Sequence, residues 1–344
     1  MRNLTLVSGI TSFIIGLQLP VTAGTFTDIN FFGDSLLDQG NFLNLSSLPP
    51  TPPYFEGRSS NGKIWADLLA EELKLNPILS TQLNSTIPTQ GVNFAIFGAT
   101  TGTDNINNRG VNQFPGLQNQ IAAFADLTKI NPINPDGLYV LWAGGNDYNQ
   151  AFFDPESLTV PLEQLPEQVV SNLSNSIQSL SDLGAKNFLI PNLPDLGSTP
   201  FADFLDEFNP LISTQLSNLT TAHNNLLELK LAELDNSLSE ITINLLDING
   251  LLLEIIQNPE PFGISNLDNS CLTNFRPIFI FDGVCNNPNE YIFWDDVHPT
   301  ARVHQIITAR ALEVLELETV PEPNNNWGLL CLIFLGLPLI MNNK

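Results

Sequence analysis

Ser35 sits in Gly33-Asp34-Ser35-Leu36 near one end of the chain, and Asp295-Asp296-Val297-His298-Pro299-Thr300 lies near the other. A serine hydroxyl is a poor nucleophile at neutral pH. It becomes a good one when an imidazole takes its proton and a carboxylate holds that imidazole in one tautomer. Asp295 stands three residues before His298, so the chain can turn its carboxylate back onto one ring nitrogen and leave the other facing outward. These residues predict a serine nucleophile with a histidine base, provided the fold carries Ser35 to the outward nitrogen.

Acyl transfer also needs donors for the oxyanion of the tetrahedral intermediate, supplied by backbone N–H groups at glycines and by side-chain amides. Two intervening segments have that character: Gly98 in Asn93-Phe94-Ala95-Ile96-Phe97-Gly98-Ala99-Thr100, and Asn146 in Gly144-Gly145-Asn146-Asp147. With the Ser35 amide they would form the oxyanion hole. The order Ser, Gly, Asn, His resembles the GDSL branch of the SGNH hydrolases, and more narrowly its secreted lipase, phospholipase and esterase members. Phe32 to Asn41 is similar to that family's first block, Gly57-Arg58-Ser59-Ser60-Asn61-Gly62 to its GRxSNG segment, and Asn192 to Gly197 to its NLPDLG stretch.

The resemblance runs from about Phe31 to Ile307. It implies an exported esterase or lipase that forms an acyl-enzyme on Ser35, with His298 as base, Asp295 orienting it, and no cofactor. Family members usually carry Gly-Gly where this chain has Phe97-Gly98. That departure predicts a narrowed acyl pocket and a preference for short and medium chains over long ones. A reading from another class, a non-catalytic envelope-bound binding protein that keeps the fold, rests on the same phenylalanine.

Other residues invite competing assignments. His223 and His304 are the remaining histidines; neither has the DxxH spacing, and His223 is expected to be a packing or surface residue and His304 a structural one. Asp34 and Asp38 could be mistaken for the carboxylate pair of a glycosidase, but in the first block they are expected to brace the turn around Ser35. Asp296 is the rival to Asp295 as the triad acid, at a less favourable spacing. Asn41, Asn61 and Asp147 are expected to support the oxyanion loops. The Pro-rich run Leu48 to Pro53 precedes Tyr54-Phe55, and these aromatics either line an acyl groove or pack inward.

The elements that must position these residues alternate. Phe26 to Phe32, Asn93 to Phe97, Leu138 to Trp142, Asn187 to Ile190 and Ile241 to Leu246 read as strands, short and rich in leucine, aromatic or β-branched residues. Ile64 to Leu75, Gln118 to Asp126, Leu165 to Leu183, Leu211 to Leu234 and Thr300 to Leu317 have helical apolar spacing. Strand and helix in alternation predict an α/β fold, a three-layer α/β/α sandwich around a mostly parallel five-stranded sheet of the SGNH or flavodoxin-like kind. Ligands sit beyond the carboxyl ends of such strands, where Ser35, Gly98 and Asn146 all fall.

Composition bounds the partners. Thirty-six acidic residues against twelve Lys and Arg give a formal charge of −24, which disfavours nucleic acid and anionic membranes. Residues 1–23 read as a signal peptide, with an apolar run from Leu4 to Leu19 and small residues at Val21 and Ala23. The hydrolase domain then spans 24–320. Cys271 and Cys285 are an isolated pair within it, either bridged, as export favours, or two buried thiols. Residues 321–344, after Val320, resemble a PEP-CTERM sorting tail, with Val320-Pro321-Glu322-Pro323 and an apolar stretch from Trp327 to Met341. The tail implies sorting machinery and membrane attachment as partners beside an ester or lipid substrate; the alternatives are a retained anchor or a buried helix.

Overall fold

The computed structural model describes residues 26–316 except 84–88, 109–113, 131, 239 and 274–278. The expected signal peptide and C-terminal tail, with the domain boundary at 320, lie outside the described residues. In chain order the strands are β1 (Ile29–Gly33), β2 (Ile78–Leu79), β3 (Val92–Asn93), β4 (Leu138–Trp142), β5 (Asn187–Pro191) and β6 (Thr242–Leu246). The helices are α1 (Asn41–Ser46), α2 (Trp65–Glu72), α3 (Leu117–Thr128), α4 (Gly145–Phe153), α5 (Leu165–Leu183), α6 (Pro200–Asp206), α7 (Ile212–Ser237), α8 (Ile248–Gln257) and α9 (Ala301–Val314).

The six strands form one parallel sheet in the order β2-β3-β1-β4-β5-β6. The sheet therefore has six strands where the sequence predicts five. The additional strand, β2, is a two-residue edge pairing in which Ile78 and Leu79 meet Val92 and Asn93, too short to leave a periodic signal. The predicted strand at Asn93 to Phe97 pairs as a ladder only over Val92–Asn93. Its continuation still runs beside β1, with Phe94 N donating to Phe31 O and Ile96 N to Gly33 O.

Alternation along the strands divides the interior into two cores, as a sheet covered on both faces requires. Ile29, Phe31, Leu138, Val140 and Trp142 face one side, against Trp65 and Leu69 of α2, Leu251 and Ile255 of α8, and Val303 and Ile307 of α9. Phe32, Tyr139, Leu141, Phe188 and Ile190 face the other, against Ile121 and Phe124 of α3, Leu173 and Ile177 of α5, and Leu227 and Leu231 of α7. Helices α1, α4, α6 and α8 were not anticipated. Three are under ten residues, and α8 follows β6 so closely that their apolar residues merge into one run. Asp247 caps α8, its carboxylate accepting from Gly250 N at 2.9 Å.

The order of strands reverses between β1 and β4, and the chain turns into the functional segments at the carboxyl ends of both. Beyond the sheet, β7 (Asn266–Ser270) pairs with β10 (Tyr291–Phe293), and β8 (Leu272–Thr273) with β9 (Gly283–Val284). Cys271 and Cys285 are joined in a disulfide. Among the described residues no helix is long and apolar enough to cross a membrane.

Candidate active site

The nucleophile segment leaves β1 through Gly33, whose φ of +149° and close approach to Trp142 O leave no room for a side chain. Gln120 of α3 clamps this peptide from both sides: Gly33 N donates to its Oε1 at 2.8 Å, and its Nε2 donates to Gly33 O at 2.8 Å. Leu37 N and Asp38 N then donate to Asp34 O, and Leu36 N to Asp34 Oδ1, closing a tight turn around Ser35.

At the other end of the chain, Asp295 and His298 meet as their spacing predicts. The Nδ1 of His298 lies 2.8 Å from both carboxylate oxygens of Asp295, and Nε2 lies 2.8 Å from Ser35 Oγ. The backbone N–H groups of Val297 and His298 also donate to Asp295 Oδ1. The other oxygen accepts from the Tyr54 hydroxyl at 2.6 Å. Burial opposes the charge of Asp295, but the neighbouring His298 and these hydrogen bonds outweigh it and hold the carboxyl below its ordinary range. Tyr54 is pushed strongly upward by burial and by Asp295, so it remains a phenol and a donor. Asp296 is not in the triad; its Oδ1 accepts from Ser270 Oγ.

Gly98 has a φ of +81°, and an added Cβ would fall 2.2 Å from Asn107 Nδ2. The carbonyl of Phe97 is held by the side-chain amides of Asn105 and Asn107, at 2.9 and 3.2 Å. In a trans peptide the N–H points opposite to the C=O, so these asparagines aim the Gly98 N–H away from themselves. Asn146 begins α4 after β4, and its Nδ2 donates to Ala99 O at 3.0 Å and lies 3.4 Å from Asp34 Oδ2. It thus stands between the residue after Gly98 and the residue before Ser35. Among the described residues, neither Ser35 N nor Gly98 N donates to a protein acceptor.

The supporting residues hold these loops in register. Asp38 accepts from the backbone of Gly40, Asn41, Phe42 and, across the site, Phe97, so one carboxylate ties the nucleophile segment to the Gly98 loop. Burial pushes its carboxyl up to about 6 while those four N–H groups pull it down. Burial likewise raises Asp34 to about 7 and Asp147 to about 6, where Thr101 donates to both its oxygens. Asn41 Nδ2 donates to the carbonyls of Asn93 and Ala95. Asn61 Oδ1 accepts from Ala301 N, and Ser60 Oγ donates to Pro299 O, so the Arg58 to Gly62 segment anchors the chain after His298.

His223 and His304 are both buried, and burial holds each down to about 3, leaving them neutral. His223 Nδ1 pairs with the Tyr148 hydroxyl at 3.0 Å. Neither reaches Ser35. Phe97 does not narrow the pocket as its position in the sequence suggests. It stacks on Phe42 and packs against Phe279 and the His298 ring, at centroid distances of 5.0, 5.5 and 5.4 Å. A cavity open to solvent lies beside Ser35, Asn146 and His298, and Phe97 is absent from its walls. Tyr54 also packs inward and not into an acyl groove. Its link to Asp295, like the roles of Gln120, Asn105 and Asn107, was not foreseen; only the Pro-rich segment before Tyr54 had marked that region. Among the described residues no group of three or more His, Cys, Asp or Glu side chains is placed to hold a metal ion.

The GDSL-like lipase/acylhydrolase family model matches residues 29–311, from β1 into α9. The chain belongs to that family. It is similar to a GDSL esterase/lipase of Arabidopsis thaliana, 31% identical over 88% of each chain, and to the sinapine esterase of Brassica napus, 27% identical over 86% of this chain and 89% of that one. An acetylxylan esterase from Geobacillus stearothermophilus aligns structurally over 88% of this chain and 99% of its own, at 13% identity and a TM-score of 0.44.

Proposed function

We propose that this carboxylic ester hydrolase is exported and works through an acyl-enzyme on Ser35. The observation that carries the mechanism is the continuous line from Asp295 through His298 Nδ1 and Nε2 to Ser35 Oγ, with 2.8 Å at each link. In the first half-reaction Ser35 Oγ attacks the ester carbonyl carbon as His298 Nε2 takes its proton. The oxyanion is met by the amides of Ser35 and Gly98 and by Asn146 Nδ2, which exchanges its long contact with Asp34 for the substrate. Collapse of the intermediate breaks the bond to the alcohol, and the imidazolium gives the alcohol its proton. Water then attacks the acyl-Ser35 ester, with His298 again as base, and the acid leaves. Asp295 keeps the ring in one tautomer and stabilises its charged form throughout.

Export is supported by the apolar leader ahead of residue 24 and by the Cys271–Cys285 bridge, which suits an oxidising compartment. The C-terminal segment after Val320 is read as a sorting or anchoring tail on its composition alone.

A fluorophosphonate probe tests the mechanism, because it reacts with a serine whose base and oxyanion donors are assembled. Labelling should map to Ser35 and vanish in Ser35→Ala and His298→Ala, with ester turnover lowered by roughly 10⁴-fold or more in each. Undiminished turnover in Ser35→Ala would exclude the acyl-enzyme. Fractionation of cells expressing the full chain and a chain ending before Trp327 tests export and the tail together; retention of the shortened domain in the cytoplasm would contradict this reading.

A further inference from the structure

The cavity beside Ser35 runs along one face of α8, formed by Ile248, Leu251, Leu252 and Ile255, and is faced by Val303 and Ile307 of α9. The α8 residues fall at i, i+3, i+4 and i+7, a single stripe of the helix. All six are less than a tenth exposed, and none carries a polar side-chain atom. The polar side chains of the wall are Asp34, Ser35, Asn146 and His298 around the catalytic end, Asn149 three residues past Asn146 in α4, and Thr199, whose hydroxyl already donates to Leu196 O and accepts from Ala202 N.

An ester presents two halves to such a site. A polyol, sugar or charged alcohol would bring hydroxyl or ammonium groups against the α8 and α9 stripe, whose side chains offer them no partner, and an unpaired polar group is disfavoured there. A chain of methylenes meets no such penalty and gains from leaving water. Resting on the assignment of Ser35 as the nucleophile, we infer that this cavity is the acyl pocket and that it takes a straight aliphatic chain of medium length.

Its reach follows from the helix. At about 1.5 Å per residue, the wall from Ile248 to Ile255 is roughly 10 Å long. An extended hydrocarbon advances roughly 1.3 Å per carbon, the bond length projected on the chain axis, so the wall matches about eight carbons. The limit on chain length is thus set by the α8 wall and not by Phe97, because that side chain lies against His298 and outside the cavity.

The test is a chain-length series on the purified protein. With p-nitrophenyl esters, kcat/KM should rise about fourfold for each methylene added to the acyl half, and should level off near eight carbons. A mirror series of acetate esters with lengthening alkyl alcohols should stay flat. In Leu251→Trp, and separately in Ile255→Trp, the indole should fill the cavity and bring the octanoate-to-acetate ratio of kcat/KM down towards one. Because the readout is a ratio within each variant, partial unfolding lowers both rates and leaves it unchanged. A flat acyl series, a rise along the alcohol series, or an unchanged ratio in both variants would overturn the acyl pocket while leaving the Ser35 mechanism standing. Absence of both turnover and fluorophosphonate labelling in the folded wild-type protein would instead remove the nucleophile assignment, and the pocket's role with it.

Discussion

The hydroxyl of Tyr54 donates a 2.6 Å hydrogen bond to Oδ2 of Asp295, the carboxylate that holds His298. The line of contacts from Ser35 through His298 to Asp295 is thus extended by a fourth residue, 241 positions from Asp295 in the chain. Tyr54 is itself fixed, edge-on against Trp294 and Phe279 at 6.1 and 5.5 Å.

Loss of that hydroxyl has two separable effects. A hydrogen bond to a buried charge contributes about 1.5–3 kcal/mol, so Tyr54→Phe should lower the unfolding free energy by that order. With one donor removed, Asp295 bears more charge on the oxygens facing His298 and stabilises the imidazolium more strongly. The acid limb of the kcat profile should therefore move to higher pH, with KM little changed. A pH–rate series on the variant checks this; an unshifted limb would reduce Tyr54 to a packing role.

The oxyanion donors should differ in kind. Asn146→Ala removes one side-chain donor and should cost roughly 10²- to 10³-fold in kcat. Asn105→Ala touches no substrate but frees the Phe97 carbonyl that sets the direction of the Gly98 N–H, so kcat should fall by a smaller factor with KM unaltered. Steady-state kinetics on both variants tests the ordering; a larger loss in Asn105→Ala than in Asn146→Ala would contradict it.

Stability should depend on pH in a direction set by the buried acids. Burial raises Asp34 to about 7 and Asp38 and Asp147 to about 6, from an ordinary value of 3.8. The folded chain therefore binds these protons more tightly than the unfolded one, and stability falls as pH rises from the ordinary value through the raised ones. Asp295 runs oppositely: its folded value is lowered, so its contribution is present above 3.8 and is lost as pH falls through the lowered value. The buried His223 and His304, held down from 6.5 to about 3, likewise contribute stability that is present above 6.5 and is lost as pH falls below it. Above 6.5 the histidines are largely neutral in both states and the raised acids decide the sign, so calorimetric scans at constant ionic strength should give a higher melting temperature near about pH 6.5 than near about pH 8, and repulsion within a chain of formal charge −24 acts in the same direction. A melting temperature that rises over this range would refute the reading.

The disulfide lies close to the catalytic segment. Cys271 N donates to Phe293 O and Leu272 N to Trp294 O, directly before Asp295. With a sequence separation of 14, replacing both cysteines by serine should destabilise the domain by about 3 kcal/mol. It should also lower kcat at temperatures where the fold persists, because the strand leading to Asp295 loses its brace. Thermal melts paired with activity measured well below the transition separate the two effects.

The chemistry was legible where it is local. Asp295 and His298 are three residues apart, so their pairing needs only a turn of chain, and that spacing identified which of two adjacent aspartates takes part. The strands β1, β4, β5 and β6 were legible for a similar reason, since a strand covered on both faces is a short run of apolar residues consecutive in the chain. The meeting of Ser35 with His298 was an inference that only the sheet could realise, by placing the ends of β1 and β4 side by side. Tyr54 could not be read at all, because its partner lies 241 residues away and the residue types alone allow both an inward and a groove-lining position. Phe97 shows the same limit: the sequence places it next to Gly98, but the rotation of the Gly98 loop decides which side of the catalytic histidine its ring occupies. The acyl cavity belongs wholly to the tertiary structure, because it is the space left between α8, α9 and the sheet, and no residue in the sequence records a space.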